Sequence, residues 1–400
     1  MSKQDTRVVV FDQAIAAASP AGSCVLAEIV GLAESRRITV FSDRCEVAQP
    51  GRIDWVRVPL PKGPIVLRYV AFQLLAPMLY TAWRLRGNRA DQVQTTQGQY
   101  VGADIAYAHF CHRAYLNGPW KSSPVKGLRR LAREANHRFN AIFERRAFLR
   151  ARRIVVPSLG LARELSREYP DVADRIVTIA NPVDVARFAR PADFDRAAFR
   201  QPLGLAPDAV VLSFMALGDF ARKGLGVVIE ALAGLPEPLR AQAQVLVIGG
   251  QQREIDEYQA IATRHGVGDR LRFVGLQKDV RPYLWAADVF AFPSLYEIFS
   301  LAILQAAAAG LPTLVTQGLY GAEEFVRDGE NGWLAPRTPE GVRAALAQAI
   351  GERHRLPQWS AAAQQAVQQY SREAFVAKWQ NLYAGLDGAQ AAVGAAEVTQ

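Results

Sequence analysis

A single carboxylate stands where an apolar run gives way to a small-residue helix. In SLYEIFSLAILQAAAAGLP (Ser294–Pro312), Glu297 follows the strand-like VFAFPS, and a helix is expected to start near Ser300. The amides of Ile298, Phe299, Ser300 and Leu301 then lack a helical acceptor. A helix N-terminus with free donors and a positive dipole end favours a phosphate. Upstream, LGDFARKGLG repeats the logic: a strand ends at Gly218, a loop follows, and Arg222 and Lys223 precede another helix start. Two adjacent cations beside a glycine that permits close approach suit a pyrophosphate. A solvated helix start is the plainer alternative. His109 closes DIAYAHF at an expected strand end, either as a ligand contact or as a buried, hydrogen-bonded histidine. His109, Cys111 and His112 are too tightly spaced to share a metal, no fourth ligand is evident, and no D-x-D signature stands nearby, so no metal is expected.

The elements that must position these residues alternate regularly. RVVVF (Arg7–Phe11), RITVFSD, DWVRVPL, DQVQTTQ, DIAYAHF and RIVVPS read as strands of the first half, with a Pro20–Ser23 turn and a helix from about Cys24 to Ala33. AVVLSFMALG, QVLVIGG, LRFVG, VFAFPS and TLVT read as strands of the second half, separated by helices near 225–233, after Gly250 to about His265, and near 280–287. Such alternation indicates βαβ units and parallel sheets. The expected class is α/β, with two Rossmann-like, doubly wound domains: residues 1–180, residues 181–386 after the Pro182 stop, and a small, polar tail at 387–400 without fixed structure. Ligands of such sheets bind at the strand C-termini, here expected to face a cleft.

Composition narrows the class. Four hundred residues suit two domains, and half the residues are hydrophobic, as in a soluble globule. Three widely spaced cysteines without C-x-x-C fit a reducing compartment. The N-terminus reads as a first strand, not a secretory signal. The net charge of +9 is concentrated: Lys121–Arg153 holds eleven Lys/Arg against Glu134 and Glu144, an excess equal to that of the whole chain. Leu128, Leu131, Ala135, Phe139, Ile142 and Phe143 recur there at helical spacing. Pro64–Arg86 is apolar and aromatic, but Arg68 and Pro77 make it a poor transmembrane span and a better interfacial segment. Core packing with solvated arginines is the alternative reading of both.

Taken in order, GDFARKG…IEAL, VIGG, RFVG, AADVFAFPSLYEIFSLAILQAAAAGLPTL and GAEEFVRDGENGWLAP resemble a retaining GT-B glycosyltransferase of family 4. IANPVD resembles that family's interdomain Asn-Gly-Val-Asp, with Pro182 for glycine. In the first half, Ala21-Gly22-Ser23 looks like the family's first glycine loop and His109 like its cleft histidine. GDFARKGLGVVIEALAGLP is most like the lipopolysaccharide core glucosyltransferase branch. The resemblance implies a UDP- or GDP-type nucleotide-sugar donor. It places sugar hydroxyls on Glu297, the leaving diphosphate on Arg222, Lys223 and the amides of 298–301, and the ribose at Gln305. Gly22, Gly218 and His109 complete the implied site. Asp219 replaces the family's commoner arginine, and Gln305 its second glutamate. An amide can still span a diol, with a neutral hydrogen bond in place of a charge-assisted one.

With the basic segment, the expectation is a cytoplasmic enzyme, peripheral on the inner face of the inner membrane, that needs no cofactor and extends a glycan or glycolipid acceptor. Three other classes stay open: a basic nucleic-acid-binding protein, although no recognised motif supports it; a non-catalytic GT-B scaffold, motivated by Asp219 and Gln305; and a sugar-phosphate synthase or phosphorylase.

Overall fold

The computed structural model describes residues 6–47, 51–122 and 127–397. The chain forms two compact units, Met1–Pro182 with Glu373–Gln400, and Val183–Arg372.

The strands of the first unit are β1 (Arg7–Phe11), β2 (Ala14–Ile15), β3 (Arg37–Ser42), β4 (Arg44–Cys45), β5 (Ile53–Arg57), β6 (Gln92–Thr96), β7 (Ile105–Tyr107), β8 (Arg153–Val156) and β9 (Ile176–Thr178). Seven of them make one parallel sheet in the order β5-β3-β1-β6-β7-β8-β9; β2 and β4 pair separately. Val8–Phe11 of β1 are fully buried, as the continuous apolar run requires of a central strand. The winding reverses between β1 and β6, the place where such sheets open a crevice.

The helices of this unit include α1 (Pro20–Leu32), α2 (Ile65–Leu85), α3 (His112–Asn117) and α4 (Gly127–Arg150). α1 starts at Pro20, earlier than expected, because Ser19 caps it and proline at the first position has no N–H to leave unpaired. Among the described residues, α2 is the one helix long and apolar enough to cross a membrane, with mean hydropathy 1.4. Its Phe72 and Ala76 nevertheless pack into the core with Val9, Phe11 and Phe41. The basic segment is helical, but the apolar residues picked out at helical spacing do not form its buried face. Leu128, Leu131 and Ile142 are exposed, while Asn140, Glu144, Ala147 and Phe148 face inward. Lys126 lies outside the described residues.

The second unit holds β10 (Val210–Ala216), β11 (Ala243–Gly249), β12 (Leu271–Gly275), β13 (Val289–Phe292), β14 (Thr313–Thr316) and β15 (Gly332–Ala335). They form a parallel sheet ordered β12-β11-β10-β13-β14-β15. Here the winding reverses between β10 and β13. These two strands end at Ala216 and Phe292, just before the two loops singled out in the sequence.

The last helix, Arg372–Glu397, corrects the expected domain limits. From Glu373 onward it belongs to the first unit, not to a second domain reaching residue 386. Trp379 and Tyr383 are fully buried there; Trp379 meets Tyr107 edge-on at 5.0 Å, and the Tyr383 hydroxyl donates to Gln94 Oε1 at 2.6 Å. Asp387 pairs with Arg36 at 2.6 Å. Large aromatics and buried amides find partners in the first unit, and these contacts decide where the helix belongs. The tail expected to lack structure is helical as far as Glu397; residues 398–400 lie outside the described residues.

Candidate active site

The second unit brings the two motif loops together because β10 and β13 are neighbours. After β10, Leu217–Asp219 lead into a one-turn helix, Phe220–Lys223; after β13, Pro293–Ser300 lead into the helix Leu301–Ala308. Several contacts pin one loop to the other. The Leu295 N–H donates to the Arg222 carbonyl at 2.8 Å, and Arg222 Nη1 donates to the Tyr296 carbonyl at 2.7 Å. Gly224 has φ +91°, and a Cβ there would stand 2.2 Å from the Pro293 carbonyl oxygen, so only glycine fits. Arg337, just past β15, donates Nε to the Pro293 carbonyl and Nη2 to the Ala221 carbonyl, both at 3.1 Å. Its rigid fork spans both loops. The sequence reading gave Arg337 no role, and no motif marks it.

Glu297 sits at the centre, with its side chain 12% exposed. Its Oε1 receives the Lys223 ammonium, Arg222 Nη1 at 3.3 Å and Ser294 Oγ at 2.9 Å. Arg222 Nε also pairs with Asp219 Oδ2 at 2.6 Å. Two cations and two carboxylates thus form a neutral cluster. Arg222 and Lys223 converge as expected but do not stand free: Glu297 and Asp219 hold them. The Lys223 ammonium lies 5.2 Å from the centre of the Phe292 ring. Burial lowers its pKa from the ordinary lysine value, against the opposing pull of Glu297. Asp219 takes a left-handed φ of +62°, which aspartate tolerates better than most residues. Gly218 needs no such freedom; a Cβ there would approach Glu254 Oε2 at 3.3 Å, so the conformational requirement falls on Gly224 instead.

Beyond Glu297 the helix Leu301–Ala308 begins with Ser300 as N-cap and no side-chain cap. Among the described residues, no acceptor pairs with the amides of Ile298, Phe299, Ser300 and Leu301. The Phe299 ring is buried 5.7 Å from that of Tyr370, which fixes the loop that carries them. Gln305 is half-buried on the second turn of this helix, and its side-chain amide has no hydrogen-bond partner among the described residues.

In the first unit, His109 lies just past the end of β7, its ring tilted by 46° against that of Tyr107 with 4.0 Å between their centres. Its Nε2 is buried without a hydrogen-bond partner among the described residues. Burial pulls its pKa down to about 3, so the ring is neutral at ordinary pH. Gly22 is not in a loop. It lies in the first turn of α1, its N–H donates to Ser19 Oγ at 3.2 Å, and a Cβ would stand 2.2 Å from the Ala14 carbonyl oxygen. The glycine is needed for that contact, and its amide is already used. Among the described residues no group of three or more His, Cys, Asp or Glu could hold a metal.

Two family models match in tandem: "Glycosyltransferase Family 4" over residues 24–187 and "Glycosyl transferases group 1" over residues 195–366. The lipopolysaccharide core biosynthesis glycosyltransferase LpsE of Rhizobium meliloti is 36% identical over 190 residues, 46% of this chain and 53% of that protein. The lipopolysaccharide glucosyltransferase WaaG of Escherichia coli is 27% identical over 257 residues, 63% of this chain and 64% of that protein. The chain therefore covers between half and two thirds of these relatives. Among solved structures, Anabaena HepE in complex with UDP-glucose superposes with a TM-score of 0.70 at 18% identity, over 95% of this chain and 99% of that one. With two doubly wound sheets, the pinned loops around Glu297 and a family model on each half, this chain belongs to the GT-B glycosyltransferases of family 4.

Proposed function

We propose that the chain transfers a hexose, with retention of anomeric configuration, from a UDP- or GDP-type nucleotide sugar to a lipid-linked or lipopolysaccharide-type glycan. The observation that carries this reading is the meeting of Lys223, Arg222, Glu297 and the unpartnered amides of residues 298–301 where the winding of the second sheet reverses. A donor diphosphate entering there offers the two cations a stronger partner than Glu297 does. Lys223 and Arg222 turn to the phosphates, and the Glu297 carboxylate is released to accept hydrogen bonds from sugar hydroxyls. As the glycosidic bond breaks, charge grows on the departing diphosphate, and cations, amides and helix dipole are already in place to stabilise it. That electrostatic set does the work a metal does elsewhere, so no metal is proposed. Asp219, the cluster's other carboxylate, is engaged by Arg222 at 2.6 Å, so Glu297 has no free acid beside it to form the flanking pair that hydrolases use. His109 offers the first unit's own contact, a neutral imidazole able to hydrogen-bond a carbohydrate hydroxyl. The relatives' names, both from lipopolysaccharide synthesis, support the acceptor class, and the UDP-glucose complex supports the donor class.

Thermal-shift measurements with UDP-, GDP- and dTDP-sugars, followed by a transfer assay, test the reading. Stabilisation by one donor, lost in Lys223→Ala together with at least a hundredfold of kcat/KM, is expected. Wild-type-like turnover in the Arg222→Ala/Lys223→Ala double variant would reject it. A non-catalytic scaffold is the second reading, favoured by Asp219 and Gln305; donor binding without hydrolysis or transfer would select it.

A further inference from the structure

α2 is apolar on two opposite faces, and among the described residues only one of them has a partner. Phe72, Ala76, Leu79 and Trp83 face the first unit's core. On the other side Leu67, Leu74, Met78 and Leu85 are 49%, 62%, 66% and 83% exposed. Their spacing of seven, four and seven residues puts them on one stripe of a 3.6-residue helix, over a length of about 30 Å. The helix stays intact through Pro77, and the Thr81 hydroxyl donates to the Pro77 carbonyl at 2.9 Å. A monomer has no folding reason to keep a second apolar stripe of this length in water.

The charges around the stripe say what covers it. Residues 61–90 contain five cations and no acid. Arg68 is paired with Asp43 and Arg89 with Asp91, but Lys62, Arg84 and Arg86, at the two ends of α2, are exposed and have no acidic partner among the described residues. A second copy laid antiparallel on this face would set Lys62 against Arg84 and Arg86, like charge on like. A surface that is apolar in depth and anionic at its rim satisfies both the stripe and its ends. We propose that α2 lies in the plane of an anionic lipid bilayer, with Leu67, Leu74, Met78 and Leu85 below the headgroups and Lys62, Arg84 and Arg86 among them. Since its opposite face is part of the core, α2 rests on the bilayer and does not span it.

Vesicle flotation with the full chain tests this, using phosphatidylcholine alone and with phosphatidylglycerol. Wild type is expected to bind the anionic vesicles at least tenfold more tightly than the neutral ones. Leu74→Asp/Met78→Asp should reduce that binding at least tenfold, with circular dichroism and Tm unchanged because both side chains are exposed. Arg84→Gln/Arg86→Gln should lower the preference for anionic lipid by about fivefold per cation. Vesicle binding that survives Leu74→Asp/Met78→Asp, or no binding by wild type, overturns the proposal. So does a dimer in solution that the same substitutions dissociate, since a second copy would then own the stripe. None of these readouts involves the donor site, so a failure here leaves the glycosyl-transfer reading untouched, and the reverse.

Discussion

At the scale of single residues, the site is an ion cluster that must be partly undone before it can bind. Arg222 pairs with Asp219 across 2.6 Å in an exposed position, so on the proposed function Asp219 would compete with an incoming diphosphate. An exposed ion pair of this kind contributes about 0.5–1 kcal/mol. Asp219→Asn should therefore lower donor KM by roughly two- to fivefold with kcat little changed, as initial-rate kinetics would show; a raised KM would mean that Asp219 orients Arg222 instead. Gln305 calls for a separate measurement. Gln305→Glu restores a charge-assisted acceptor toward a ribose diol, and donor KM should stay level or fall by several-fold. A large loss of activity would show that the amide nitrogen donates to something a carboxylate cannot serve. The two substitutions act on different parts of the donor, so their effects should add.

At the scale of elements, α4 is docked through a buried acid. Glu144 accepts from the His112 N–H at 3.1 Å and from the Tyr169 hydroxyl at 2.8 Å, and burial raises its pKa to about 8. The folded state holds this proton more tightly than the unfolded state does. Its stabilising contribution is complete below the ordinary glutamate value of 4.5 and is lost as pH rises toward 8. Within that window the slope is about 1.4 kcal/mol per pH unit for one proton. Glu144→Gln should flatten this slope in urea unfolding followed between pH 5 and 8.5. The sequence could not reveal the device, because Glu144 sits among arginines and reads as one more surface charge. It did reveal the strands with continuous apolar runs, such as Arg7–Phe11, Leu271–Gly275 and Thr313–Thr316, whose limits match. Ile176–Thr178 was legible only as the strand that Pro182 stops, without limits of its own, since its three residues are half-buried at a sheet edge; Gly332–Ala335, which opens on glycine, carries no such signal. The loop from Ser294 to Leu301 was legible because a strand end, a lone acid and a helix start follow each other locally. Ser294, Asp219 and Arg337 were not, since their partners are fixed by folding and not by spacing.

At the scale of the whole molecule, the chain passes from the first unit to the second at Pro182 and returns at Glu373. Trp379 is the anchor of that return, fully buried beside Phe375, Tyr383 and Tyr107. Trp379→Ala should destabilise the first unit by about 3–5 kcal/mol. Calorimetry should show a lowered transition for that unit while the second unit's transition keeps its Tm; a uniform shift of both would count against assigning the helix to one unit. The return also sets an order of maturation. On the ribosome, residues 183–372 emerge as one contiguous stretch and can finish folding, whereas the N-terminal sheet keeps an unfilled aromatic slot until the helix that starts at Arg372 has followed them. The unit begun first is completed only after the second has been made, and until then that open slot is what a nascent-chain chaperone would meet.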